Sequence, residues 1–193
     1  MSDILKILAF AGSTRKESWN KKLVQIAASG AQGAGAEVTL LDLRDLPLPL
    51  FDEDLETAEG LPANGRLLKD LFLDHDGFLL SSPEYNSSIS AVLKNAIDWI
   101  SRPVQGQPPL ACFSGKAAAL MSASPGALGG LRGLVHVRSI LSNINVLVLP
   151  DQVAVPKAHE AFAADGTLKD PKQHGAVMGL GEKLAKLLEK LHG

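Results

Sequence analysis

Short, almost continuous apolar runs alternate along this chain with longer segments in which apolar residues recur every third or fourth position. The short runs predict five buried β-strands, at residues 4–11, 37–41, 77–81, 117–122 and 146–149. The longer segments predict amphipathic helices at residues 23–31, 63–74, 91–101, 131–142 and 172–191. Strands buried on both faces and separated by helices are typical of repeated βαβ units around a parallel sheet. We therefore expect a doubly wound α/β domain with helices on both faces and the strand order 2-1-3-4-5.

The length and composition of the chain favour one globular unit. Its 193 residues suit a single domain, and 46% hydrophobic against 21% charged residues is enough to build a core. We expect that domain to span residues 1–193. The formal net charge of -2 offers no basic surface for nucleic acid, and no apolar run reaches the roughly 18 residues of a membrane span. We therefore expect neither a nucleic-acid partner nor a membrane.

The cysteine and histidine content argues against a disulfide or a metal site. Cys112 is the only cysteine, and the five histidines show no metal-ligand spacing. The first residues, MSDILKILAFAG, are interrupted by Asp3 and Lys6 and lack a cleavage site typical of secretion. We therefore expect a cytoplasmic protein without a metal ion.

Two long connections interrupt the alternation of strands and helices. Residues 44–61 follow the second predicted strand and residues 102–115 precede the fourth, and prolines in both disfavour helix and central strand. Long loops in compact α/β domains often line a site or a contact surface. We expect both to lie over the edge of the sheet or against a neighbouring subunit. Together with the apolar helix that carries Trp99, residues 44–61 would supply surface for a homodimer or homotetramer.

The loop after the first predicted strand, GSTRKESWN, combines short polar side chains with an arginine. It leads into a helix, whose first N–H groups and dipole favour a bound anion. Gly12 permits the tight turn, the hydroxyl and amide groups donate hydrogen bonds, and the guanidinium suits a phosphate. Alternatively, Ser18 or Asn20 only caps the helix and the arginine is solvated. The residues that would contact a phosphate are Ser13, Arg15, Ser18 and Asn20.

The spacing in this loop excludes several classes of phosphate-binding protein. It lacks the GxGxxG of dinucleotide-binding folds and the Gly-Lys-Ser/Thr of a Walker loop. It also lacks the nucleophilic cysteine of a low-molecular-weight tyrosine phosphatase, because Cys112 lies far along the chain. A mononucleotide at the carboxyl ends of the strands remains, and FMN is the usual occupant of such a sheet.

Two further loops should face the first one across the crevice beside the first and third strands. In SPEYNSS, after the third strand, Pro83 would stiffen the turn, Tyr85 offers an aromatic plane and Asn86 offers hydrogen-bonding groups, all of which suit the flavin ring. In SASPGALGG, after the fourth strand, glycines would let the backbone approach a flat ligand, and the candidates are Ser122, Ser124, Gly126, Gly129 and Gly130. Each loop has an alternative role: Tyr85 as packing, Glu84 as a helix-start charge or a subunit contact, and the glycines as steric relief in a turn.

Four stretches of the sequence, GSTRKESWNKKL, LPLPLFDEDLE, SPEYNSSISAVLKNAIDW and SASPGALGGLR, extend together to about residue 150. In these stretches the chain resembles the NAD(P)H-dependent FMN reductases, a flavodoxin-like family that includes quinone, chromate and azo-dye reductases. The resemblance implies noncovalent FMN with NADPH or NADH as co-substrate. It implies that the first loop holds the phosphate and that the other two loops contact the ring, through Pro83, Glu84, Tyr85, Asn86 and residues 122–130. Many members carry Pro-Gly or similar residues where this chain has Ser90-Ala91, and we expect Ser90 to cap the following helix.

The resemblance implies an oxidoreductase that moves a hydride from nicotinamide to bound flavin and then reduces a small acceptor, such as a quinone, azo compound, chromate or ferric chelate. We expect no catalytic side chain, because the flavin carries the chemistry. The alternatives are a flavodoxin-type single-electron carrier and an FMN-binding regulator without turnover. Such carriers usually have a T/S-x-T-G-x-T loop and an acidic surface, and neither is present in this sequence. Arg15 and Arg102 are candidates for recognising the 2′-phosphate of NADPH.

Overall fold

Five parallel strands form one sheet in the computed structural model, which describes residues 4–192. The strands are β1 (Lys6–Ala11), β2 (Glu37–Leu41), β3 (Gly77–Ser81), β4 (Ala117–Ala123) and β5 (Leu147–Val155). Their order is β2-β1-β3-β4-β5, and every pairing is parallel. This order confirms the doubly wound, flavodoxin-like topology expected from the sequence. Asp3 and the other residues at positions 1–3 and 193 lie outside the described part of the chain.

Helices connect the strands and cover both faces of the sheet. Within residues 4–192 they are α1 (Trp19–Gly33), α2 (Glu53–Glu59), α3 (Ala63–Asp74), α4 (Ala91–Ile100), α5 (Leu131–Asn143), α6 (Ala158–Ala161) and α7 (Pro171–His192). Because successive strand residues point to opposite faces, the sheet has two cores. On one face Ile7 and Ala9 pack with α1 and α7, and on the other Leu8 and Phe10 pack with α3, α4 and α5. None of the helices in this described part combines the length and apolarity that crossing a membrane requires.

The main differences from the sequence prediction lie at element ends and in the long connections. Helix α1 begins at Trp19 rather than at residue 23, which places the helix start directly against the first candidate loop. Strand β5 continues through Pro150 to Val155. Proline is tolerated there because β5 is an edge strand, and its register against β4 shifts near this point. The short helix α2 lies inside the connection predicted to be irregular, and the side chain of Asp52 accepts hydrogen bonds from its first turn.

Residues 44–61 lie against α4 of the same chain. Asn95 donates from Nδ2 to the carbonyl of Pro49 at 2.9 Å and accepts from the N–H of Phe51 at 2.7 Å. Trp99 donates from Nε1 to the same carbonyl at 2.8 Å, and its buried ring lies 5.0 Å from the ring of Phe51, centroid to centroid. We expected residues 44–61 and the helix that carries Trp99 to supply apolar surface for a partner; Trp99 supplies none, because this connection covers it.

The second long connection, residues 102–115, ends inside the core. Cys112 and Phe113 are fully buried. The ring of Phe113 packs edge-on against Phe72 of α3 and Phe78 of β3, at centroid distances of 5.7 and 6.4 Å. This end of the connection therefore packs into its own domain rather than over a sheet edge or a neighbouring subunit.

Candidate functional site

A pocket opens at the carboxyl ends of β1, β3 and β4, where the three candidate loops meet. The residues singled out from the sequence that line it are Ser13, Arg15, Ser18, Asn20, Pro83, Glu84, Tyr85 and Ser124. Trp19, Ala123 and Pro125 also line it, although none of them carries a motif that singles it out in the sequence. The only sequence signal for Trp19 was its place between two selected residues. The loops thus converge beside the switch between β1 and β3, as the strand order predicts.

The remaining candidates, Asn86, Ser122, Gly126, Gly129 and Gly130, are not among the described residues that line this pocket. Gly130 has a φ of 92°, and a Cβ there would lie 1.9 Å from Oγ of Ser122. Gly129 has a φ of 62°, and a Cβ there would lie 2.7 Å from the backbone at the end of β5. The hydroxyl of Ser122 is buried and has no hydrogen-bond partner among residues 4–192. This packing favours the steric role for Gly129 and Gly130, which let the loop pass closely over β4 and β5.

Asn20 joins the first candidate loop to the ends of two strands. Its buried side chain donates from Nδ2 to the carbonyl of Ala123 at 2.9 Å. Its Oδ1 accepts from the N–H of Ala123 at 2.9 Å and from the hydroxyl of Ser81 at 2.8 Å. These bonds fill the amide oxygen and use one of the two N–H groups, so a single N–H remains for a ligand. Asn20 therefore holds the start of α1 against β3 and β4.

The helices that begin at this end of the sheet differ in how their N-termini are capped. Ser90 caps α4, because its Oγ accepts from the N–H of Leu93 at 3.2 Å, and it also donates to the carbonyl of Gly12 at 2.6 Å. This confirms the cap expected at Ser90. The N-terminus of α5 receives the carboxylate of Glu84. Ser18 precedes α1, but within the described structure its side chain makes no capping hydrogen bond. Of these three helix starts, the one at α1 is open, and it faces the pocket.

Arg15 lies at the rim of the pocket, against the ring of Trp19. Its Cζ is 4.7 Å from the ring centroid, and Nη2 donates to the carbonyl of Glu17. The backbone N–H of Arg15 donates to Oγ of Ser13 at 3.3 Å. Because an arginine side chain carries five N–H donors, most of them remain for an anion at the start of α1.

Residues 85–88 form a tight turn, here called the Tyr85 turn, whose two ends pair with each other. The N–H of Tyr85 donates to the carbonyl of Ser88 at 2.9 Å, and the reverse bond is 3.0 Å. Asn86 and Ser87 have φ values of 50° and 64°, the left-handed pair typical of a type I′ turn. Asparagine adopts this conformation more readily than most residues, so the structure gives Asn86 a backbone role. The side chain of Tyr85 is 57% exposed and lines the pocket.

The carboxylate of Glu84 contacts the start of α5. Oε1 accepts from Nε and Nη2 of Arg132 at 3.0 and 2.9 Å, and Oε2 accepts from the N–H of Gly133 at 3.0 Å. Burial raises the pKa of Glu84, but the hydrogen bonds from Gly133 and Arg132 outweigh it and leave the pKa below its ordinary value of 4.5. The carboxylate is therefore ionised at neutral pH. This position matches the alternative of a helix-start charge, although the helix is α5 and not the next one along the chain.

Arg102, the second arginine considered for the 2′-phosphate, lies away from the pocket. Its Cζ is 5.1 Å from the centroid of Phe51, just beyond the C-terminal end of α4. The pocket lies instead beside the N-terminal end of that helix, so only Arg15 of the two lines it. Across residues 4–192, no group of three or more His, Cys, Asp or Glu side chains is arranged to hold a metal ion.

Comparisons with known proteins agree with one another. The family model for NADPH-dependent FMN reductases matches residues 5–160. An NAD(P)H-dependent FMN reductase of Pseudomonas aeruginosa is 37% identical over 194 aligned positions, which cover 100% of both chains. A quinone reductase of Escherichia coli strain K12 is 34% identical over 149 positions, covering 77% of this chain and 76% of that one. Among solved structures, FerB, a flavoenzyme NAD(P)H:(acceptor) oxidoreductase from Paracoccus denitrificans, has a TM-score of 0.80 at 33% identity and covers 98% of this chain and 100% of its own.

Proposed function

The chain belongs to the NADPH-dependent FMN reductase family, and on that basis we propose that it oxidises NAD(P)H through FMN bound noncovalently in the pocket and reduces a small acceptor. FMN is the cofactor and NAD(P)H the co-substrate. The acceptors we propose are quinones, azo compounds, chromate and ferric chelates. The observation that carries the assignment of FMN to this pocket is the uncapped N-terminus of α1.

The first loop fits the phosphate of FMN. At the start of α1 the first N–H groups and the positive end of the helix dipole favour an anion, and the side chain of Ser18 leaves them uncapped. The hydroxyl of Ser18 and the guanidinium of Arg15 add donors at the same place. Ser13 accepts from the N–H of Arg15 and still has its own hydroxyl hydrogen to donate. Such a set of donors around an open helix start is what phosphate groups prefer.

The other two loops fit the flat ring of the flavin. Pro83 and Tyr85 line one side of the pocket, and Ser124 and Pro125 line another. When bound, FMN supplies the redox chemistry, and the protein binds it, orients it and shields it from water. Glu84 is the one carboxylate among the described lining residues, and its engagement with α5 makes it unsuited to proton transfer. This agrees with a reaction that needs no acid–base pair of side chains.

Purified protein should bind FMN, and the loaded protein should oxidise NADPH or NADH steadily when a quinone is present and no partner reductase is added. Flavin absorbance after dialysis measures the first step, and nicotinamide absorbance under anaerobic conditions measures the second. Protein that cannot be loaded with FMN would contradict the assignment of the cofactor. FMN binding without nicotinamide oxidation would contradict the enzyme and favour the electron carrier or the regulator.

We further propose that the protein forms a homodimer or homotetramer. Although residues 44–61 cover Trp99, large apolar side chains remain exposed on α5 and in the loop before it, among them Leu128, Leu131 and Val135. Leu131 and Val135 lie one turn apart on α5 and so share a face of the helix. Contact between copies through such a face would remove apolar surface from water. Light scattering at micromolar concentration should give at least twice the mass of one chain, and a monomeric mass contradicts this proposal.

A cytoplasmic location is part of the same proposal. Cys112, the only cysteine, carries a free thiol that is fully buried. Burial raises the pKa of this thiol, which keeps it protonated and unreactive. A chain without disulfides suits a reducing compartment. Cell fractionation with an antibody against the protein tests the location.

A further inference from the structure

Glu84 lines the candidate ring site, yet its carboxylate is engaged by the protein itself. A carboxylate can accept roughly four hydrogen bonds. Glu84 accepts three within the protein, two from Arg132 and one from the N–H of Gly133. The side chain is only 9% exposed, so little of it is available to a ligand. Its contribution to a ligand must therefore be indirect.

Within the described residues, the carboxylate of Glu84 takes the place of a side-chain cap from the residue before α5. The residue before the helix, Gly130, is in the left-handed conformation and has no side chain to offer. Glu84 supplies the missing acceptor from a different loop and places a negative charge at the positive end of the helix. The absence of a side chain at Gly133 permits the approach, since a Cβ there would lie 3.2 Å from the carbonyl of Ser88 and 3.3 Å from Cβ of Glu84.

A second contact holds the other end of the same turn. Nδ1 of His136 lies 2.8 Å from Oγ of Ser88, and His136 is one helical turn beyond Arg132 on α5. Glu84 immediately precedes the Tyr85 turn, and Ser88 ends it. The turn is therefore attached to α5 on both sides, while Tyr85 itself stays exposed at the pocket.

We propose that Glu84, Arg132 and His136 are positioning residues, which fix the Tyr85 turn against α5 so that this wall of the pocket is formed before a ligand enters. The ligand part of this inference rests on the proposed function, because it takes the flavin ring as the group that meets the wall. A loop that is already ordered avoids the free-energy cost of ordering it on binding. The three side chains thus favour flavin binding without touching the flavin.

Tyr85 provides a direct measurement, because it is the only tyrosine of the chain. With fluorotyrosine incorporated, fluorine NMR of the full-length protein should show one sharp signal, with or without FMN. Glu84→Ala and Glu84→Asp should both broaden the signal or move it toward that of free tyrosine. Aspartate keeps the charge but is one methylene too short to reach Gly133. Glu84→Gln keeps the length but turns an N–H2 donor toward the N–H groups of Arg132 or of Gly133, so it should also alter the signal. A Glu84→Asp signal equal to that of the wild type overturns the proposal, since charge alone would then suffice.

Flavin affinity provides the second measurement. Glu84→Ala should weaken FMN and riboflavin equally, by about 10-fold, which corresponds to roughly 1.4 kcal/mol of lost ordering. Unchanged affinity for both flavins overturns the proposal, and a loss for FMN alone overturns it by placing Glu84 at the phosphate. If the wild type binds neither flavin, the proposed function fails. The fluorine signal of Tyr85 then still decides whether the contacts of Glu84 with α5 hold the Tyr85 turn.

Arginine variants on α5 separate this contact from a general effect on the helix. Arg132 is 60% exposed, so Arg132→Met should fold normally, alter the fluorine signal and add nothing in a Glu84→Ala background. Arg138→Met is the matched control, because Arg138 lies on the same helix but donates to the carbonyl of Val148 at 3.3 Å and to Oε1 of Gln152 at 3.1 Å. The control should leave the signal and both affinities unchanged. Equal changes in the two variants, or additive effects of Arg132→Met and Glu84→Ala, overturn the proposal.

Discussion

Asn20→Ala should lower the free energy of unfolding by about 3–5 kcal/mol. Each buried polar group left without a partner costs roughly 1–3 kcal/mol, and the surrounding structure can relax to recover part of the total. Three such groups lose their partner: the N–H and the carbonyl of Ala123, and the hydroxyl of Ser81. The start of α1 would also separate from β3 and β4, so FMN affinity should fall together with stability. Urea denaturation followed by circular dichroism measures the first effect, and fluorescence titration with FMN measures the second.

Two further variants sharpen this experiment. Asn64→Ala removes one exposed hydrogen bond, from Nδ2 to the carbonyl of Pro47 at 2.9 Å, and should cost no more than about 1 kcal/mol. Asn20→Asp keeps an acceptor for Ala123 and Ser81 but places a carboxylate oxygen against the carbonyl of Ala123, so it should remain strongly destabilised. An Asn20→Ala protein no less stable than Asn64→Ala would show that the hydrogen bonds of Asn20 do not hold these elements together.

Arg15→Ala should weaken FMN binding roughly 10- to 150-fold, corresponding to the loss of a charged hydrogen bond of about 1.5–3 kcal/mol. The affinity for riboflavin, which has no phosphate, should hardly change. The reason is that the guanidinium lies at the rim beside the open start of α1, where we propose that the phosphate binds. The loops that we propose to contact the flavin ring are different ones. Parallel titrations with the two flavins measure the effect as a difference between them.

Lys16 provides the matched control for this prediction. It is the next residue along the loop, is exposed and does not line the described pocket, so Lys16→Ala removes the same charge without the contact. We expect it to change FMN affinity only slightly. Arg15→Lys keeps the charge but loses the planar fork and should recover part of the affinity. Equal losses for FMN and riboflavin in Arg15→Ala would assign Arg15 to the ring or to the fold.

The buried elements were predictable because their hydrophobic pattern is local and strong. The strands Glu37–Leu41 and Gly77–Ser81 and the helix Ala63–Asp74 occur with the predicted bounds. The errors in the predicted elements fall where tertiary contacts, and not the local hydrophobic pattern, determine the structure. β5 extends as an edge strand through polar residues beyond Pro150, and α2 forms inside a proline-bearing segment that Asn95 and Trp99 attach to α4.

The convergence of the three candidate loops was predictable, whereas the contacts of each residue within them were not. Parallel strands in the order 2-1-3-4-5 bring the loops after β1, β3 and β4 to one edge, and the structure places them around one pocket. Within those loops Asn86 serves a turn, and Gly130 packs over Ser122. A polar or glycine residue in a loop has the same signature in sequence whether it contacts a ligand or its own protein.

The sequence by itself determined the fold class, the three loops and the family, because these depend on local periodicity and on contiguous motifs. The strand order was inferred from that fold class. Only the tertiary structure decided which polar side chains the protein engages and which it leaves for a ligand. Asn20, Ser90 and Glu84 are engaged by partners 103, 78 and 48 residues away along the chain, at Ala123, Gly12 and Arg132. Among residues 4–192, Ser18 makes no capping bond to α1, and its hydroxyl lies at the pocket. Hydrogen bonds between such distant positions form only when the sheet brings strand ends together, and no pattern within one loop records them.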